Sequence, residues 1–99
     1  MWLSDGELLG RTVIAADGQA VGTVSALLLD TDSWNVGALK VKLRKEMAER
    51  LGAARTLFGT GSIELATTTV RSVGDAVLLA NDVEGIRRYL AGEGAPAGP

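Results

Sequence analysis

No cysteine and no histidine occur anywhere in this sequence of 99 residues. Disulfides, thiolate nucleophiles and zinc sites of the usual Cys/His kind are therefore excluded. The general base that enzymes use most often is missing too. Serines and threonines are present, including Thr67-Thr68-Thr69, but no imidazole is available to activate them. Catalytic, metal-ligating and cofactor-binding residues are accordingly expected to be absent, and the chain is expected not to be an enzyme. Aromatic residues are also scarce, at 4%. Any core must therefore be built from Val, Leu, Ile and Ala. Two prolines stand against thirteen glycines, which suits many tight turns between short elements.

What is present is apolar and nearly neutral. Apolar residues make up 46% of the chain, enough for one core and too many for a disordered tail. The net charge of −2 argues against a nucleic-acid partner, because such domains concentrate positive charge to displace counterions. The N-terminus, Met1-Trp2-Leu3-Ser4-Asp5, has neither a basic segment nor an apolar one, and no stretch is long and apolar enough to span a bilayer. A cytoplasmic protein is expected.

Turn chemistry and periodicity divide the chain into short elements. Thr12-Val13-Ile14 suits a strand, and Asp17-Gly18 is a strong hairpin signal because both residues tolerate positive φ. Val21 to Leu29 forms the return strand. Its Leu27-Leu28-Leu29 run is apolar on both parities, which requires either two covered faces or a bulge. After the turn cluster Asp30-Thr31-Asp32-Ser33, Leu39, Val41 and Leu43 alternate with Lys40 and Lys42, giving a strand with one wet face.

The period then changes. Leu43, Met47 and Leu51 recur every four residues, Lys45/Glu49 and Glu46/Arg50 make i,i+4 charge pairs, and Gly52 falls at a C-cap position. This predicts a short helix over Arg44–Leu51. Beyond Gly59-Thr60-Gly61, strands are expected at Ser62–Leu65, Val70–Val73 and Ala76–Leu79, the last two turning at Gly74-Asp75. Asn81, with Glu84 three residues on, predicts a capped helix whose buried stripe is Val83, Ile86 and Leu90. Residues 1–91 form one domain in this reading, and 92–99 a low-complexity tail. The expected fold is mainly β, a small antiparallel barrel of about six strands with an inserted helix and a C-terminal helix.

The order of these signals resembles that of PRC-barrel domains. Leu9-Gly10-Arg11-Thr12-Val13, Asp17-Gly18, Val21-Gly22-Thr23-Val24 and Leu29-Asp30-Thr31-Asp32-Ser33-Trp34 look like the family's opening hairpins. Val73-Gly74-Asp75-Ala76-Val77-Leu78-Leu79 looks like its closing strand pair. The family includes the cytoplasmic domain of the photosynthetic reaction-centre H subunit, the C-terminal half of a ribosome maturation factor, and stand-alone proteins. The helix at Arg44–Leu51 followed by Leu57-Phe58-Gly59 is most similar to the stand-alone archaeal type, some of which are adaptors in cell division. The resemblance implies a non-enzymatic docking module for another protein, as a homodimer or as a heterodimer with a paralogue. It carries no catalytic residue over. The alternative reading is a ribosome-associated, maturation-factor-like domain that binds ribosomal protein or RNA.

Candidate sites follow from what remains. Asp30-Thr31-Asp32 opens like a calcium loop, but its fifth, sixth and twelfth positions are Trp34, Asn35 and Val41, none of them fit for the role. Gly59-Thr60-Gly61-Ser62 lacks the lysine and the following helix of a phosphate-binding loop. Lys40, Lys42, Arg44 and Lys45 make a basic stripe that would serve the ribosomal alternative, with Glu46 and Glu49 partly neutralising it. Trp2, Trp34, Leu57 and Phe58 are the candidate protein interface, since large apolar side chains in turn and terminal segments either plug the barrel ends or anchor a partner. A mean hydropathy of +0.20 in so small a domain favours some apolar surface shared between chains.

Overall fold

The computed structural model describes residues 1–52 and 61–92. It contains a short helix α1 (Asp5–Leu8), strands β1 (Thr12–Ile14), β2 (Ala20–Asp30) and β3 (Asn35–Leu43), helix α2 (Lys45–Arg50), strands β4 (Ser62–Ala66), β5 (Val70–Val73) and β6 (Val77–Leu79), and helix α3 (Val83–Leu90). The expected strands and both expected helices are present.

Local chemistry accounts for the turns. Between β1 and β2, the Ala15 N–H donates to the Gln19 carbonyl and the Gly18 N–H to that of Ala15, each at 2.9 Å. Gly18 takes a φ of +86°, which a residue without Cβ adopts at little cost. The Asp17 carboxylate accepts from the Gln19 side-chain amide at 2.8 Å and from the Val83 N–H at 3.5 Å, tying this turn to the start of α3. The triple leucine is settled otherwise: β2 bulges before it, at Ser25, the extra residue of the second register shift is Gly37 on β3, and Leu28 and Leu29 are both left exposed.

Two features of the expected barrel are corrected. All six strands lie in one sheet in the order β4-β3-β2-β1-β6-β5, and its two edge strands do not pair, so the sheet is open. It is also mixed. β6 runs parallel to β1, matching Val13 with Val77 and Ile14 with Leu78, while the other four pairings are antiparallel. The chain passes from β4 to β5 through a single 3₁₀ turn, Thr67–Thr69, which spans the gap between the edges. There the Thr69 hydroxyl donates to the Ala66 carbonyl at 2.7 Å and the Ala80 N–H to that of Thr69 at 2.8 Å. From α3, the Tyr89 hydroxyl accepts the Ala66 N–H at 3.4 Å.

The core lies inside the curled sheet. Val13, Val21, Val24, Leu39, Val41, Ile63, Leu65, Val77 and Leu79 are buried there, joined by Met47 and Leu51 at α2 and by Val83 and Ile86 from α3. Gly52 has a φ of +69°, as a C-cap glycine should. The cap of α3 is Asp82, not Asn81: its carboxylate accepts the Gly85 N–H at 2.7 Å. The Asn81 carbonyl is taken by the Ala16 N–H at 2.9 Å, and the Glu84 carboxylate turns to Arg87. The capping box forms instead at α1, where Ser4 and Glu7 satisfy each other's backbone N–H groups. Sequence periodicity misses α1 because none of its residues is buried.

Gly22 marks the tightest approach in the sheet. A Cβ there would lie 2.1 Å from the Lys42 carbonyl oxygen and 2.9 Å from the Leu43 Cα, all of it backbone that has no room to move. Gly22→Ala is expected to lower the free energy of unfolding by about 1–3 kcal/mol in urea titrations, whereas Gly37→Ala, whose nearest neighbour would be 3.9 Å away, changes it far less.

Acid should also weaken the fold. The Glu7 carboxyl lies below its ordinary pKa because the Ser4 N–H and hydroxyl donate to it, Asp17 because the Gln19 amide does, and Glu84 because the Arg87 guanidinium does. A depressed folded pKa gives stability that is complete above the unfolded value, near 4, and lost as pH falls through the folded one. Thermal melts should therefore be flat near neutrality and fall below about pH 4, with Asp17→Asn reducing the fall.

Candidate functional site

The site that stands out is the distal half of the β2–β3 hairpin. β1 pairs with β2 only as far as Thr23, after which Gly10 and Arg11 bond to Val24. β4 pairs with β3 only over Ala38–Lys42. The ribbon made by Ala26–Asp30 and Asn35–Gly37 thus runs past the flanking strands. On the β3 side, the Thr67 hydroxyl hydrogen-bonds to the Val36 carbonyl at 3.0 Å. On the β2 side, no strand among the described residues pairs beyond Val24.

The ribbon is apolar and exposed. Leu28, Leu29 and Val36 keep 36%, 46% and 38% of their surface in solvent, and Trp34 at the tip keeps 73%. Leu29 pairs with Val36 across the two strands, and Leu28 with Ala38. The tip itself is firmly built. The Asp30 carbonyl accepts the Trp34 N–H at 2.7 Å, the Asp30 carboxylate accepts the Asp32 N–H at 2.9 Å, and the Ser33 hydroxyl accepts the Asn35 N–H at 3.3 Å.

Trp34 closes this turn with a φ of +61°. The other described residues with positive φ, Gly10, Gly18, Gly52, Gly61 and Gly92, are all glycines. For a bulky side chain this conformation costs about 1–2 kcal/mol. Burial does not compensate, because the indole stands in solvent. Among the described residues nothing offsets this strain.

The remaining candidates are dispersed. Trp2, 99% exposed, precedes α1, so neither tryptophan plugs an end of the barrel. Leu57 and Phe58 lie outside the described residues, as do Thr60 of the glycine loop and residues 93–99 of the tail. Lys40 and Lys42 share the outer face of β3, with Glu64 of β4 in register opposite Lys40. Arg44 pairs with Glu46 at 3.1 Å, Arg50 reaches the Gln19 side-chain carbonyl, and Lys45 is exposed at the start of α2. The basic stripe is thus interleaved with carboxylates. A cavity of about 500 Å³ opens between the end of α2, β4 and α3, lined by Leu51, Ile63 and Leu90 with Arg50 and Arg87 at its rim.

Among the described residues, no cluster of carboxylates is arranged to hold a metal ion. The three carboxyls with shifted acidity all move away from neutrality, the opposite of what a general acid needs. No described helix is long and apolar enough to cross a membrane.

The structure therefore defines a small mixed β domain, curled around one core, with an apolar hairpin projecting from it. The PRC-barrel domain model matches residues 3–86, and the chain belongs to the PRC-barrel family. No curated protein matches the chain.

Replacing the strained tryptophan should stabilise the fold. Trp34→Asn, which accepts the left-handed conformation more readily, is expected to raise the urea midpoint by the equivalent of about 1 kcal/mol. A loss the size of a core truncation would show that the indole is packed.

Proposed function

We propose that this domain is a non-catalytic docking module that engages another protein chain through the distal β2–β3 hairpin, with Trp34 as its anchor. The observation that carries the reading is the strained, solvent-exposed indole at the head of an apolar ribbon. Tryptophan is favoured as an anchor because it buries a large area while ordering few torsions. The β2 edge of the ribbon, which no strand among the described residues covers, adds a second means of attachment, strand addition. Resemblance to the stand-alone archaeal type makes a cell-division adaptor the setting of this docking. The ribosomal alternative gains no comparable support, because Glu46 and Glu64 interrupt the stripe of Lys40, Lys42, Arg44 and Lys45 on which it depends.

A photo-crosslinking residue placed at Trp34, and in a control chain at exposed Asp75, tests the reading in intact cells. A discrete protein adduct formed from position 34 and not from 75 is the expected result. Equal labelling from both positions, or an adduct to RNA alone, would overturn it.

A further inference from the structure

We propose that the segment Ser4–Gly10 is a strap for the β2 edge of the hairpin. Folded back as α1, it leaves that edge open to a partner. When the turn before β1 is undone, it pairs with β2 and closes the edge. This regulation rests on the docking reading above, whose surface it controls.

The β1–β2 ladder ends in a built device. The Gly10 N–H donates to the Val24 carbonyl at 2.8 Å, and the Val24 N–H to that of Arg11 at 3.0 Å. Two residues of one strand thus oppose one of the other, with a left-handed glycine first, which makes a G1 bulge. The same residues form a type II turn. Leu9 has φ −61° and ψ 131°, Gly10 has φ +87°, and the Arg11 N–H donates to the Leu8 carbonyl at 3.1 Å. Turn and bulge together send the chain out of the sheet at Val24, where the uncovered part of β2 begins.

Little holds the segment in its folded-back form. α1 has four residues, none of them fully buried, and a helix so short is not stable by itself in water. Its restraints are the Ser4–Glu7 box and the Arg11 guanidinium, which donates to the Glu7 carbonyl at 2.8 Å and to the Gly74 carbonyl in the β5–β6 turn. Beside it runs an edge that continues the ladder to which β1 already belongs. Straightening the turn brings Leu8 and Leu9 alongside Leu27 and its neighbours. The pairing is intramolecular, so it competes well with a dilute partner. Gly10 is the point on which this depends. A Cβ there would meet nothing within 4 Å, so the glycine serves its φ and not a close approach.

Amide hydrogen exchange of the intact chain tests this. Gly10→Val makes the left-handed turn costly without touching a neighbour, and Arg11→Met removes the clamp while keeping the glycine. In each, the Ala26–Leu29 amides that face away from β3 should exchange about fivefold or more slowly than in the wild type. A substitution that merely damaged the fold would speed exchange. The crosslinked adduct from position 34 should fall by a similar factor. Gly10→Asn, which accepts a left-handed φ, should leave both readouts near their wild-type values. Far-UV circular dichroism checks that each variant is folded. Should the folded Gly10→Val and Arg11→Met chains exchange these amides as fast as the wild type, or give an undiminished adduct, the proposal is overturned. Equal slowing in Gly10→Asn would overturn it too. Exchange needs no partner, so a wild-type chain that forms no adduct counts against the docking reading, while the exchange rates still decide for or against the strap.

Discussion

β1 is three residues long and carries a strand on each edge. Val13 pairs with Gly22 of β2 on one side and with Val77 of β6 on the other, and its side chain is fully buried between them. Without that strand the sheet would fall into two pieces, the meander β2-β3-β4 and the hairpin β5-β6, and a lone two-stranded hairpin is marginally stable at best. With it, six strands share one core, and α3 lies across the remaining opening. The turn after β1 is tied to the start of α3 by the Asp17 carboxylate and by the Ala16–Asn81 bond, so the same short segment also places the helix.

The same economy explains where the exposed hairpin comes from. β1 is much shorter than β2, and β4 shorter than β3, so the β2–β3 ribbon outruns both neighbours. Leu27 still packs against the core, but Leu28 and Leu29, on opposite faces of the projecting ribbon, are both left exposed. The core gains nothing from these exposed side chains or from the indole beyond them. A fold optimised only for its own stability would place glycine or asparagine at position 34 and polar residues along the ribbon. That tension between local strain and a missing compensation is what sets the hairpin apart from the rest of the domain.

Much of this was legible in the residues. The alternation of Leu39, Val41 and Leu43 with lysines, the Asp17-Gly18 turn, the four-residue spacing of Leu43, Met47 and Leu51, and the Gly74-Asp75 hairpin each state a local preference that the fold keeps. Trp34 is marked by its sequence, because a large aromatic beside a turn cluster has no obvious place in a core. Its neighbours Leu28, Leu29 and Val36 are not, since an apolar residue in a strand reads as buried until the lengths of the flanking strands are known. Helix α1 is hard to read from sequence, because its only signal is the Ser4–Glu7 box, with no apolar stripe behind it. Asn81 and Asp82 are chemically equivalent caps in sequence, and the extended backbone of Asp82 with its bond from the Gly85 N–H decides between them.

Residue identity determined by itself which side chains avoid water, where the chain turns, and which chemistry is unavailable to a protein without cysteine or histidine. Those properties belong to single side chains and their near neighbours. The tertiary structure alone decided that β6 joins β1 in parallel, that the sheet stays open between β4 and β5, and that no described strand pairs with β2 beyond Val24. Ladder hydrogen bonds are made by N–H and C=O groups that nearly every residue carries alike. The sequence can therefore mark a strand and its wet face without naming the strand that will lie beside it.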